Sequence, residues 1–159
     1  MRRRDFLAGI AGSAASWPLM ARAQQPERMR RIGVLMGLRE EDLETKSRLA
    51  KLRQELERLG WSEGSNLHMD IRFAPSGDQG SALAKELVAL RPEMILAHTA
   101  QVTGALQRET RVIPIVFVNV SDPIGAGFVS NLARPSGNLT GLLQYEEGII
   151  GKWLSFLRK

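Results

Sequence analysis

Apolar positions return along this chain in two alternating rhythms. Arg31-Ile32-Gly33-Val34-Leu35-Met36 is a short apolar run of strand length that ends on Gly37. From about Glu41, Leu49, Leu52, Leu56 and Leu59 recur three and four apart, the spacing of one helix face. Acidic residues crowd the start of that helix and Arg58 lies near its end, as the helix dipole favours. Gly60 stops it. Leu67, Met69, Ile71 and Phe73 then alternate with His68, Asp70 and Arg72, the period of a strand with one wet face, suited to a sheet edge. Ala74 to Asp78 forms a turn. A second helix carries Leu83, Leu87 and Leu90 and ends before Pro92. Met94 to Ala97 reads as a buried strand and Ala100 to Thr110 as a third helix. Val112 to Val118 is the most apolar run and predicts a buried parallel strand with Pro114 near its start. Leu139 to Leu143 predicts a fifth strand. From Glu146 to Lys159, Ile149, Ile150, Trp153, Leu154 and Leu157 share one helical face.

Strands and helices that alternate in this way predict an α/β fold, a three-layer sandwich with a mostly parallel sheet. Right-handed crossovers place helices on both faces.

The first residues carry a different message. Met1-Arg2-Arg3-Arg4-Asp5-Phe6-Leu7 is a basic head, Ala8 to Met20 an apolar run, and Ala21-Arg22-Ala23 a small-residue exit. Residues 1–23 therefore read as a secretory signal peptide, and the paired arginines suggest the twin-arginine export machinery. A polar leader, 24–30, follows. The expected mature chain begins near Gln24, is soluble in the periplasm and carries no lipid anchor, because the sequence has no cysteine. Four arginines and one aspartate lie in the signal, so the formal charge falls from +5 to +2 without it. That balance gives no basic stripe for nucleic acid.

In an open α/β sheet, ligands bind beyond the carboxyl ends of the strands, where strand order reverses. Four segments fall there: Gly37-Leu38-Arg39, His98-Thr99-Ala100-Gln101, Asn119 to Pro123, and the turn before Glu146. Each is expected to open a helix whose free amides can take a carboxylate or other anion. This favours a small polar solute over a cofactor. No dinucleotide or P-loop spacing is present, and Gly125-Ala126-Gly127 reads as a tight turn. Two histidines without cysteine offer no zinc pattern. His68 belongs to the wet face. His98 either contacts a ligand or makes a structural hydrogen bond. Asp122-Pro123 is a helix cap that can also border a ligand. Ser121, Asp122 and His98 are the carriers of an alternative reading, an extracytoplasmic enzyme.

Taken together, Ile32 to Gly37, Leu59 to Leu67, Leu87 to Pro92, Ile113 to Phe117, Val120 to Val129 and Leu132 to Gly141 resemble the ABC transporter substrate-binding family related to tryptophan and tyrosine uptake proteins. The resemblance implies a periplasmic-binding-protein-like, flavodoxin-like lobe. It also implies a small-molecule solute such as an amino acid, an inner-membrane ABC permease as partner, no cofactor and no catalysis. It carries ligand contacts onto Gly37, Leu38, Thr99, Ala100, Ser121 and Asp122, with His98 beside them. It implies an N-terminal lobe over 31–145 and the start of a crossover helix over 146–159, a family second lobe then being absent from this chain. A non-binding truncated remnant is the alternative outcome. The apolar face of 146–159 would then invite weak self-association.

Overall fold

The computed structural model describes residues 29–135 and 137–143. The signal peptide, the turn before Glu146 and the helix expected over 146–159 lie outside the described residues. Among those described, no helix is long and apolar enough to cross a membrane.

Among the described residues, five strands and three helices alternate: β1 (Arg30–Met36), α1 (Leu43–Arg58), β2 (Leu67–Phe73), α2 (Gly77–Ala89), β3 (Met94–His98), α3 (Ala100–Glu109), β4 (Ile115–Val120) and β5 (Leu139–Leu143). All neighbouring strands pair in parallel, in the order β2-β1-β3-β4-β5. The expected α/β class and the edge position of β2 are both present.

Handedness decides which face each helix covers. The step from β1 to β2 runs one way along the sheet; the steps from β2 through β3 to β4 run the other way. Right-handed crossovers therefore put α1 on one face and α2 and α3 on the opposite one. The core divides accordingly. Leu35, Ile95, Ala97, Ile115 and Phe117 of the sheet pack with Ala84 and Leu87 of α2 and Leu106 of α3. Val34 and Met36 on the other face meet Leu49 and Leu52 of α1. Leu87 and Leu106 are wholly buried, which contributes about 1.5–3 kcal/mol each. Gly141 of β5 lies so close to β4 that a Cβ there would run into the Phe117 carbonyl and ring.

Three expectations are corrected in detail. α1 starts at Leu43, not Glu41, with Asp42 at its N-cap position. The fourth strand begins at Ile115, so Val112 to Pro114 stay outside it. There the Thr110 hydroxyl accepts the backbone N–H groups of Val112 and Ile113, both at 3.2 Å, and the Asn138 amide donates to the Ile113 carbonyl at 2.7 Å. This polar clasp holds Val112 in solvent at 85% exposure, despite the apolar run. The wet face of β2 is only partly wet. His68 is exposed, but Asp70 is buried because Arg31 closes over it, with Nε 2.6 Å from Oδ2.

Candidate functional site

Strand order reverses between β1 and β3, whose helices leave toward opposite faces, so a crevice opens at their carboxyl ends. Gly37 and Leu38 leave β1 on one side and His98 and Thr99 leave β3 on the other. Their approach is close. A Cβ on Gly37 would stand 2.5 Å from the Thr99 hydroxyl oxygen and 2.9 Å from the His98 carbonyl oxygen. Only glycine fits there without displacing backbone.

Thr99 occupies the N-cap position of α3 with φ 88° and ψ 155°, a conformation that glycine adopts freely and threonine does not. Its N–H is tied to the Val118 carbonyl of β4 at 3.0 Å, and its carbonyl accepts the Thr103 N–H at 3.2 Å and the Thr103 hydroxyl at 2.7 Å. Those bonds hold the strained backbone in place. The Thr99 side chain makes no capping bond, so the first amides of α3 keep their positive end open. Its hydroxyl is buried without a partner.

His98 is 2% exposed, and neither ring nitrogen has a hydrogen-bond partner. Burial pushes its pKa below the ordinary histidine value. The Arg48 charge adds to this, and Glu44 opposes it. The ring is therefore neutral at pH 7. Arg48 and Glu44 pair with each other at 2.5 Å on α1. Between them in sequence, Thr45 is fully buried with an unpartnered hydroxyl. Among the described residues, all the buried side-chain polar atoms that lack a partner belong to Thr45, His98 and Thr99. Each orphan costs about 1–3 kcal/mol, so the free chain carries an unmet polar demand at this end of the sheet.

Beyond β4, Ser121 and Asp122 are exposed. Asp122 Oδ1 accepts the Gly125 N–H at 2.7 Å, and its carbonyl accepts the Ala126 N–H at 3.1 Å. A Cβ on Gly125 would run into that carboxylate. The expected cap is thus present, but it opens a single turn rather than a helix. Ser121 forms no hydrogen bond with His98, whose nitrogens are unpartnered, so the nucleophile–base pair needed for an enzyme of this kind is not assembled. Ala100 is the exposed first residue of α3, and Gly37, Leu38 and Thr99 are half-buried.

Thus Gly37, Leu38, His98, Thr99 and Ala100 come together at the switch point, with Ser121 and Asp122 one strand further along. Thr45, Glu44 and Arg48 were not anticipated. Thr45 stands four residues before Leu49 and so continues the apolar face of α1, a signal that the spacing carried. His68 lies elsewhere, on the β2 edge, 3.4 Å from Glu63 and 3.5 Å from Asp70. That edge borders a groove of about 500 Å³ lined by Lys46, Arg53 and Arg72, among others. Arg72 is paired there with Glu86. No cluster of acidic, histidine or cysteine side chains suited to a metal ion occurs among the described residues.

Residues 31–148 match the family model described as ABC transporter substrate binding protein. A tyrosine-binding protein of Clostridioides difficile strain R20291 is 31% identical over 91 residues, covering 57% of this chain and 26% of that one. A conserved domain protein from Vibrio cholerae O1 biovar El Tor, known from a crystal structure, superposes with a TM-score of 0.71 at 26% identity, over 82% of this chain and 43% of that one. The ABC domain from Streptococcus pneumonia in complex with L-Trp gives a TM-score of 0.64 at 25% identity, over 72% of this chain and 38% of that one. The chain spans less than half the length of each of these relatives.

Proposed function

The chain belongs to the ABC transporter substrate binding protein family, and on that premise we propose that its lobe forms one wall of a periplasmic solute site that captures without catalysis. The wall is the switch-point crevice: Gly37 and Leu38 on one side, His98, Thr99 and Ala100 on the other, and Ser121 and Asp122 at the margin. One observation carries this reading. The buried hydroxyl of Thr99 stands unpartnered at the uncapped amino end of α3. Packing does not favour such groups unless something else satisfies them, and the helix end favours an anion.

The solute is a small organic molecule with a carboxylate, in the size class of an amino acid. Its carboxylate accepts from the α3 amides and the Thr99 hydroxyl. The names of two relatives, one tyrosine-binding and one holding L-Trp, fit that class. Delivery to a membrane permease completes the transport role, and export through the twin-arginine machinery supplies the location.

Calorimetry of the chain with L-tryptophan and other L-amino acids tests the reading. The contacts of this single wall are expected to give binding at about millimolar strength, or −4 kcal/mol. L-Tryptophanamide, which lacks the carboxylate, should bind at least tenfold more weakly. Absence of heat with every amino acid, or equal affinity for acid and amide, overturns it.

A further inference from the structure

We propose that the β2 edge receives an extended segment of another protein, carrying carboxylates on alternate residues, as an added parallel strand. This surface lies away from the solute crevice and does not rest on it.

The edge itself shows which backbone groups are available. The Arg30 N–H donates to the Asn66 carbonyl at 2.8 Å, and the Ala74 N–H to the Met36 carbonyl at 2.7 Å. In the register of β1 with β2, this turns the backbone groups of His68, Asp70 and Arg72 toward β1. Those of Met69, Ile71 and Phe73 face outward, where β2 has no neighbouring strand among the described residues. Two of the outward groups are closed internally. The Glu63 carboxylate accepts the Met69 N–H at 3.1 Å, and Arg72 Nη1 donates to the Ile71 carbonyl at 3.0 Å. An antiparallel partner exchanges both bonds with a single residue, so it is blocked at Met69 and at Ile71. The Met69 carbonyl and the Ile71 N–H stay open. In a parallel ladder one incoming residue fills that gap, donating to the first and accepting from the second.

Charge selects the segment. The side chains of Ile71 and Phe73 pack on the α1 face with Val34, Met36 and Leu49. The two residues flanking the bridging one therefore point to the α1 side of the sheet. There Lys46 and Arg53, two helical turns or about 10 Å apart, overhang the groove of about 500 Å³. Neither has an ion-pair or hydrogen-bond partner among the described residues. Of the other acids and guanidinium groups lining the groove, Asp70 is held by Arg31 and Arg72 by Glu86. That leaves Glu40 against two free cations. Carboxylates on alternate residues of a strand are about 6.6 Å apart and come within reach of both.

The test uses acetyl-Val-Glu-Val-Glu-Val-amide as the probe, titrated into the ¹⁵N-labelled chain at low salt. The expected result is a saturable shift and slowed hydrogen exchange at the Ile71 amide. The same peptide with glutamine in place of glutamate should bind about fivefold more weakly, as should the glutamate peptide to Lys46→Gln/Arg53→Gln. Methylating the backbone nitrogen of the central valine should abolish the Ile71 shift. An amide spectrum of the double variant matching the wild type separates lost charge from lost fold. An unmoved Ile71 amide, or equal affinity for the glutamate and glutamine peptides, overturns the proposal. Undiminished binding of the methylated peptide overturns it too, and marks an anion site without a strand. Concentration-dependent shifts at Ile71 in the chain alone also overturn it, because the occupant is then a second copy.

Discussion

At the amino-terminal side of the sheet, polar groups are matched. Arg31 grips Asp70 through two bonds, at 2.6 and 3.2 Å, and holds its carboxyl below the ordinary aspartate value. Asn66 accepts the Ser62 N–H and donates to the Gly60 carbonyl, both at 2.8 Å, and the Glu63 carboxylate caps the Met69 N–H. At the carboxyl ends of β1 and β3 the standard is reversed. The His98 ring nitrogens and the hydroxyls of Thr99 and Thr45 are buried and unmatched, and Thr99 is bent into glycine's conformational territory. The same strands run between the two ends, so the contrast is not one of fold quality. One end is finished for stability. The other keeps polar capacity open at a cost in stability, which fits the binding surface proposed for it.

Removing a polar side chain should therefore have opposite signs at the two ends. The largest effect is expected for Gly37→Ala, whose methyl meets a backbone carbonyl that cannot swing away. It should destabilise by about 2–3 kcal/mol and weaken solute binding, read from urea unfolding and calorimetry. A neutral result would mean that the two loops are not held in close contact. Asn66→Ala breaks two local bonds at the finished end and should cost about 1–2 kcal/mol without touching solute affinity.

His98→Leu goes the other way. It removes two orphan nitrogens at similar volume, so stability at pH 7 should rise by about 1 kcal/mol while binding is lost. The gain should widen in acid. A histidine whose folded pKa is depressed adds stability above its unfolded value near 6.5 and loses it as pH falls through the folded value. Leucine has no such loss. A lower urea midpoint for His98→Leu would show that the ring is a satisfied part of the core.

Much of the fold was legible because two hydrophobic periods alternate cleanly. The spacing of Leu49, Leu52 and Leu56 and the alternation from Leu67 to Phe73 each mark an element that forms where expected. The fourth strand was displaced because hydrophobicity does not register a clasp made by Thr110 and Asn138, distant in sequence. The site was legible as loops, since strand ends follow from strand order. Its chemistry was not. The backbone angle of Thr99 and the reach of Arg48 toward His98 arise from packing between elements, and no local pattern encodes them, whereas the burial of Thr45 follows from its place four residues before Leu49.

The central claim is that the switch-point end of the sheet is where the solute binds. A two-dimensional ¹H–¹⁵N titration of the chain with L-tryptophan tests it residue by residue. The account predicts saturable shifts at Gly37, Leu38 and His98 through Gln101, with smaller ones at Ser121 and Asp122, while Asn66, Met69 and Asp70 stay still. Shifts concentrated along β2 or around Asn66, with His98 and Thr99 unmoved, would contradict it.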